Sequence, residues 1–339
     1  MCVLTYLYNE ITNNAIIKHI RINKAILGDI MKVKEYKVTF FTVTPLYCGD
    51  AWMQNAAPRA SSIMGSLRFW FEVICYFAGI TTNADYKVVG RNKNVVFKAD
   101  LNQEKFQDKL LKCLKDGNLL SIEGATDKAL AEMGIPLPAR IFGCTGWQGL
   151  IKIGETKIIQ SEKTRFPFVG SFEIGFVTNP QIAECILLPL LKFVEKYGFL
   201  GGGWNSGFGR VTASFSETSK GYDTFKDYAE FVNTPVKFAD LVNKIPKKED
   251  LCRKNINTIN LYQCKIDGNK EDILKELIRE KVYLRRKIND KNERHLVFGT
   301  TEGSPQGSKI LPWIYEPNGD ESKRQCGFIS IAGILNIGP

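Results

Sequence analysis

Histidine is nearly absent: His19 and His295 are the only two in 339 residues. With so few imidazoles, and no carboxylate pair at metal-ligand spacing, the chain offers little for acid–base or metal-assisted catalysis. His295 has no readable partner, and Asp50 follows Gly49 as a turn aspartate, so neither points to a nuclease centre. No CxxC pair occurs either. The nine cysteines (Cys2, Cys48, Cys75, Cys113, Cys144, Cys185, Cys252, Cys264 and Cys326) are odd in number and widely spread, which argues against a disulfide framework or a zinc knuckle and for free thiols packed as small hydrophobes. Long apolar runs are missing as well. The best candidate, from residue 182, is interrupted by Glu184, Pro189, Lys192, Glu195 and Lys196, so no membrane span is expected. The opening residues MCVLTYLYNE lack the basic start and apolar core of a secretory signal, and a cytoplasmic location is the expectation.

What is present is a globular composition, 44% hydrophobic and 24% charged, with a basic balance. Forty-six Lys and Arg against thirty-six Asp and Glu leave +10, which favours an anionic partner without naming one.

The most unusual stretch is GFLGGGWNSGFGRV, residues 198–211. A P-loop needs Lys followed by Ser or Thr after its glycines, to reach terminal phosphates and magnesium. Here Gly203 is followed by Trp204 and Asn205. A dinucleotide fingerprint needs GxGxxG between a strand and a helix, whereas this loop leaves a helix and enters a strand, with Ser206 where the third glycine belongs. No nucleotide cofactor is expected. The glycines can instead present main-chain N–H groups to the oxygens of a phosphodiester, with Trp204 and Phe208 stacking on bases and Arg210 meeting phosphate. A tight turn that uses positive φ for packing is the competing reading.

Along the chain, alternation after Met31 predicts a strand through Tyr36, Val38 and Phe40 that stops at Pro45. Spacings of three and four from Ile63 through Leu67, Trp70, Phe71, Ile74 and Phe77 predict a helix, capped by Ser61 or Ser62. An insertion spans 81–137, with a helix over 103–116. Residues 140–153 and 164–178 read as strands, and 181–197 as a helix that stops at Gly198. Strands and helices in this order suit an antiparallel sheet with helices on one face, a ferredoxin-like α+β arrangement.

A second half begins near residue 221. Between Lys244 and Arg294 it holds fifteen Lys and Arg against nine Asp and Glu. Its helix 271–288 is expected to bury Ile273, Leu274, Leu277, Ile278, Val282 and Leu284 and to show Lys275, Arg279 and Arg286 along a second stripe. That stripe is either a solvated face or a basic track. RHLVFG, from Arg294, reads as a strand start and echoes RIFGCTG, from Arg140, and an echo of this kind implies two copies of one fold.

Thr44-Pro45-Leu46, Pro58-Arg59, the helix start Ser61-Ser62-Ile63-Met64-Gly65-Ser66-Leu67-Arg68-Phe69-Trp70, the repeated Phe-Gly elements and GFLGGGWNSGFGRV together resemble the RAMP proteins of prokaryotic CRISPR defence. The chain is most similar to the subunit-one family of the type III-B Cmr RNA-silencing complex, over about residues 31–339. The resemblance implies two tandem ferredoxin-like domains, at 31–220 and 221–339, behind an N-terminal extension or upstream start at 1–30. It implies a non-catalytic, RNA-binding subunit that helps hold the 3′ part of the guide CRISPR RNA and the paired target RNA, beside other Cmr-type RAMP subunits, for antiviral silencing.

On that basis Arg59 and Arg68 are expected at phosphates near a helix N-terminus. Gly201, Gly202, Gly203, Asn205 and Gly207 would admit the RNA backbone, and Trp52, Trp204 or Phe208 would stack on a base. The alternatives are a metal-independent endoribonuclease that processes the CRISPR transcript, and a purely structural subunit. One glycine follows Pro45 where the family pattern has two.

Overall fold

The computed structural model describes residues 33–48, 58–89, 94–115, 122–161, 167–215, 222–231, 234–253, 258–300 and 307–332. The extension at 1–30 and Trp52 lie outside them.

The first half is built on β1 (Lys34–Thr42), α1 (Ala60–Phe77), β2 (Lys152–Ser161), β3 (Gly170–Thr178), a second helix between β3 and β4, and β4 (Val211–Phe215). The sheet order is β2-β3-β1-β4, with every neighbour antiparallel. A β-α-β-β-α-β chain in that order is the ferredoxin-like fold. Tyr36, Val38 and Phe40 alternate inward on β1 as the period of two requires, while Phe41 faces out.

Between α1 and β2 the insertion carries α2 (Gln103–Lys115), α3 (Ile122–Glu132) and α4 (Leu137–Phe142), and Phe106, Leu110, Ala125, Ala129 and Leu130 give it a small core of its own. The helix between β3 and β4 runs as Pro180–Ile182, a wide π turn over Ala183–Leu187, and Leu188–Lys196, together α5. Pro189 explains the wide turn: it has no N–H to donate, and its ring would clash with the carbonyl four residues back in a regular helix.

The second half holds β5 (Val242–Lys244), β6 (Ile259–Cys264), α6 (Lys270–Arg286), α7 (Lys291–Phe298), β7 (Ile310–Tyr315) and β8 (Gln325–Ser330). Its sheet order is β7-β8-β6-β5. Three strands repeat the first half's antiparallel pattern, but the edge place beside β6 is taken by β5, which precedes it in sequence and runs parallel to it.

The two sheets share one core. Ile259, Leu261, Leu311, Trp313 and Ile329 pack in one cluster with Leu190, Phe193 and Val194 of α5, and the Trp313 indole N–H donates to the Lys196 carbonyl at 2.7 Å. The other face of the second sheet is covered by α6 and α7 through Ile273, Leu277, Val297 and Phe298. The second half's own helices therefore lie on one face of its sheet, as expected, and the opposite face is buried against the first half.

The two Phe-Gly echoes are equivalent in structure, although both were expected as strands. Each is a short helix, α4 or α7, ended by a glycine of similar backbone: Gly143 at φ 96°, ψ 163° and Gly299 at φ 77°, ψ 168°. The carbonyl one residue before the Phe is used identically, accepting from Leu150 N–H in one half (Ile141) and Lys309 N–H in the other (Val297), both at 2.8 Å. The apolar pattern fits a buried helix turn as well as a strand over so few residues. His295 accordingly sits on α7.

Candidate nucleic-acid interface

The glycine-rich loop follows α5 and is gripped by the strip Thr44-Pro45-Leu46-Tyr47 that follows β1. Gly202 N–H donates to Tyr47 O at 2.7 Å, Gly209 N–H to Pro45 O at 2.9 Å, and Thr44 Oγ1 to Gly207 O at 2.8 Å. Gly201 N–H donates to Ser66 Oγ on α1 at 2.9 Å. Trp204–Ser206 forms a single 3-10 turn between Gly203 (φ 75°, ψ 15°) and Gly207 (φ 75°, ψ 14°). Both ends are left-handed, which explains glycine there. At Gly207 a Cβ would lie 2.5 Å from Leu274 Cδ1 and 3.1 Å from Pro312 Cβ, so this glycine also admits the second half of the chain.

The expected row of open N–H groups is therefore mostly occupied. Gly201, Gly202, Ser206, Gly207, Phe208 and Gly209 all donate within the protein. The tip, Gly203 with Asn205, is exposed.

Several side chains expected at RNA have partners within the protein, and one of them is fully buried. Arg210 is 1% exposed. Its guanidinium donates to the carbonyls of Glu195 (2.7 Å), Val194 (3.1 Å), Lys196 (3.1 Å) and Gly198 at the C-terminal end of α5, and to Ile314 O on β7 at 2.8 Å. It caps a helix end that leaves carbonyls without intrahelical partners, lies over the Phe199 ring at 5.1 Å, and has no donor left for phosphate. Burial pulls its pKa down to about 9.

Trp204 packs on Phe69, Trp70 and Phe199, with ring centroids 5.1, 5.9 and 6.2 Å away, and its N–H donates to Leu200 O at 3.3 Å. Phe208 packs against the second core. These contacts build the loop and leave both rings half-buried. Arg68 is paired with Glu72 at 2.8 Å and donates to Gly143 O at 2.9 Å, tying α1 to the end of α4.

Arg59 stands differently. It is the N-cap residue of α1, whose first turn has neither a side-chain cap nor an acidic residue. The expected Ser61 or Ser62 cap is not made, because the helix begins at Ala60 and both serines fall inside it. The Cys48 thiol lies against the Arg59 main chain and the Ser62 hydroxyl, and burial pushes that thiol up.

On α6 the stripe of Lys275, Arg279 and Arg286 is exposed, with Lys275 3.4 Å from Asp272 and Arg279 3.1 Å from Glu276. Ile278 and Val282, expected in the core, are 37% and 42% exposed on the same side. The residue buried in their stead is Lys281, whose Nζ donates to Asn205 O at 2.9 Å and to Asn205 Oδ1. Desolvation, aided by the nearby Arg285 charge, lowers its pKa to about 7. A signal for it existed in the sequence: Lys281 falls four residues after Leu277 and three before Leu284, on the buried stripe.

The exposed parts here are the loop tip at Gly203 and Asn205 and Ser61 in the first turn of α1, with Arg59 half-buried at the start of that helix. Among the described residues no group of His, Cys, Asp and Glu gathers to hold a metal, and no helix is long and apolar enough to cross a membrane.

A family model described as the RAMP superfamily matches residues 39–212, from within β1 to within β4. No curated protein matches the sequence. Among solved structures, Cmr1 from Pyrococcus furiosus in its apo form is 14% identical, covers 87% of this chain and 87% of its own, and superposes with a TM-score of 0.40. A chain of a type IV-B CRISPR complex is also 14% identical, covers 59% of this chain and 98% of its own, with a TM-score of 0.33.

Proposed function

This chain belongs to the RAMP superfamily, and we propose that it is a non-catalytic RNA-binding subunit of a type III-B CRISPR effector, holding guide and target RNA beside other RAMP subunits. The observation that carries the reading is the uncapped, acid-free first turn that α1 begins after Arg59, on the same helix whose Ser66 hydroxyl accepts from Gly201 of the loop with the exposed tip. Unpaired N–H groups at a helix start, with the helix dipole and an arginine, favour a phosphate oxygen. Gly201, Gly202 and Gly207 shape the loop, and Arg68, Trp204 and Arg210 support it and α1. Because base pairing with the guide supplies sequence reading in RNA-guided complexes, the protein contributes shape and charge.

The test is binding of labelled single-stranded RNA at two salt concentrations. Affinity should fall steeply with salt and should weaken in Arg59→Ala. Binding that ignores both changes would overturn the reading and leave a structural subunit, a role that the buried Arg210 and the Arg68 tie between α1 and α4 already suit. Repeat-containing RNA incubated with the protein without metal should stay intact. Specific cleavage lost in His295→Ala would instead make it an endoribonuclease.

A further inference from the structure

Cys264 and Cys326 stand apart from the other thiols. They are directly opposed Cα partners on the antiparallel strands β6 and β8, so their side chains leave the same face of the sheet. Cys264 Sγ lies 3.8 Å from Cys326 O, and Cys326 Sγ 3.4 Å from Cys264 O. Opposed residues in an antiparallel pair have Cα atoms about 4.5–5.5 Å apart, inside the range of about 4.4–6.8 Å that a disulfide spans. Cys264 closes its strand and is half-buried, which gives a small oxidant an approach, whereas Cys326 is buried.

The surroundings favour a thiolate at Cys326. The neighbouring Cys264 thiol is the largest influence, joined by the Ile266 main chain and the Arg324 charge. Burial and Asp267 oppose them, and the net effect brings the thiol down to about 7. A thiolate, not a thiol, is the reactive form.

We propose that Cys264 and Cys326 are a reversible dithiol–disulfide couple, a modification site for peroxides. One thiolate attacks a peroxide oxygen; the O–O bond breaks, an S–O bond forms, and the departing hydroxide takes a proton to become water. The second sulfur then attacks the resulting sulfenic sulfur; the S–S bond forms, the S–O bond breaks, and the hydroxyl leaves as water with the second thiol's proton. Two thiols lose two electrons and two protons, and one hydrogen peroxide becomes two waters. A small dithiol reverses the reaction by exchange. The disulfide closes a loop of chain that contains α6, α7 and β7, and so staples the sheet beneath the helix whose Lys281 holds Asn205.

The experiment treats the full chain with hydrogen peroxide, blocks remaining thiols under denaturing conditions, and maps the products by peptide mass spectrometry. The expected result is one cross-linked peptide pair joining Cys264 to Cys326, lighter by two hydrogens. Alkylation at these two sulfurs should be lost and should return after dithiothreitol. The oxidised chain should also show a raised thermal midpoint, a shift absent in Cys264→Ser. Full alkylation of both after oxidation, sulfinic acid at either, or pairing with another cysteine would overturn the proposal. The mass-spectrometric readings come from the unmutated chain, so a variant that fails to fold leaves the answer standing.

Discussion

Arg210 and Lys281 are cations in a basic protein, and both are withdrawn from solvent to serve main-chain oxygens. Arg210→Met would leave the C-terminal carbonyls of α5 and Ile314 O without their donor, and a loss of about 3–5 kcal/mol is expected for a buried group of this kind; the urea midpoint of unfolding measures it. The pH dependence belongs to Lys281. Its folded-state pKa of about 7 lies below that of an unfolded lysine, near ~10.4, so between those values the unfolded chain binds the extra proton. Stability should therefore rise as pH climbs from 7 towards 10 and fall on the way back. Lys281→Met should flatten that slope, which unfolding curves at pH 7 and pH 9.5 will show.

The loop and the helix beside it carry opposite demands on single elements. Gly207→Ala places a Cβ at positive φ against Leu274 and Pro312 and should cost about 1–3 kcal/mol. Gly202→Ala has an ordinary backbone and meets the Tyr47 ring at 3.3 Å, so thermal melts should find it close to the parent. For α1, Ser61→Asp adds a carboxylate to an exposed first turn that has none, which should stabilise the helix by about 0.3–1 kcal/mol. The same charge should repel RNA from that turn. A higher thermal midpoint together with weaker RNA binding is the expected pair of outcomes, and stronger binding would remove phosphate from that helix end.

At the scale of the molecule, the shared core makes the two sheets dependent on each other. The Trp313 face of the second sheet is buried against α5 of the first half. Trp313→Ala should cost about 3–5 kcal/mol, and calorimetry should show one transition falling as a whole. Residues 222–332 alone, lacking α5, should stay unfolded by circular dichroism.

Much of this architecture is a matter of local sequence. The alternation through Tyr36, Val38 and Phe40, the helical spacing from Ile63 to Phe77, and the echo of Arg140-Ile141-Phe142-Gly143 are set by periodicity and by glycine's access to positive φ. They establish the α+β fold and its internal repeat. The failure of GFLGGGWNSGFGRV as a nucleotide loop is equally local, because it lacks the residues that chemistry needs. What only the tertiary structure decided is direction. Nothing near Arg210, Trp204 or Arg68 in sequence reveals that α5, Phe69 and Gly143 are their partners, and nothing beside Lys281 reveals Asn205. The buried stripe of α6 marks Lys281 for burial, but the sequence around Arg210 does not separate a cation buried among carbonyls from one facing solvent. Which one forms depends on desolvation and on partners that lie up to 104 residues away along the chain.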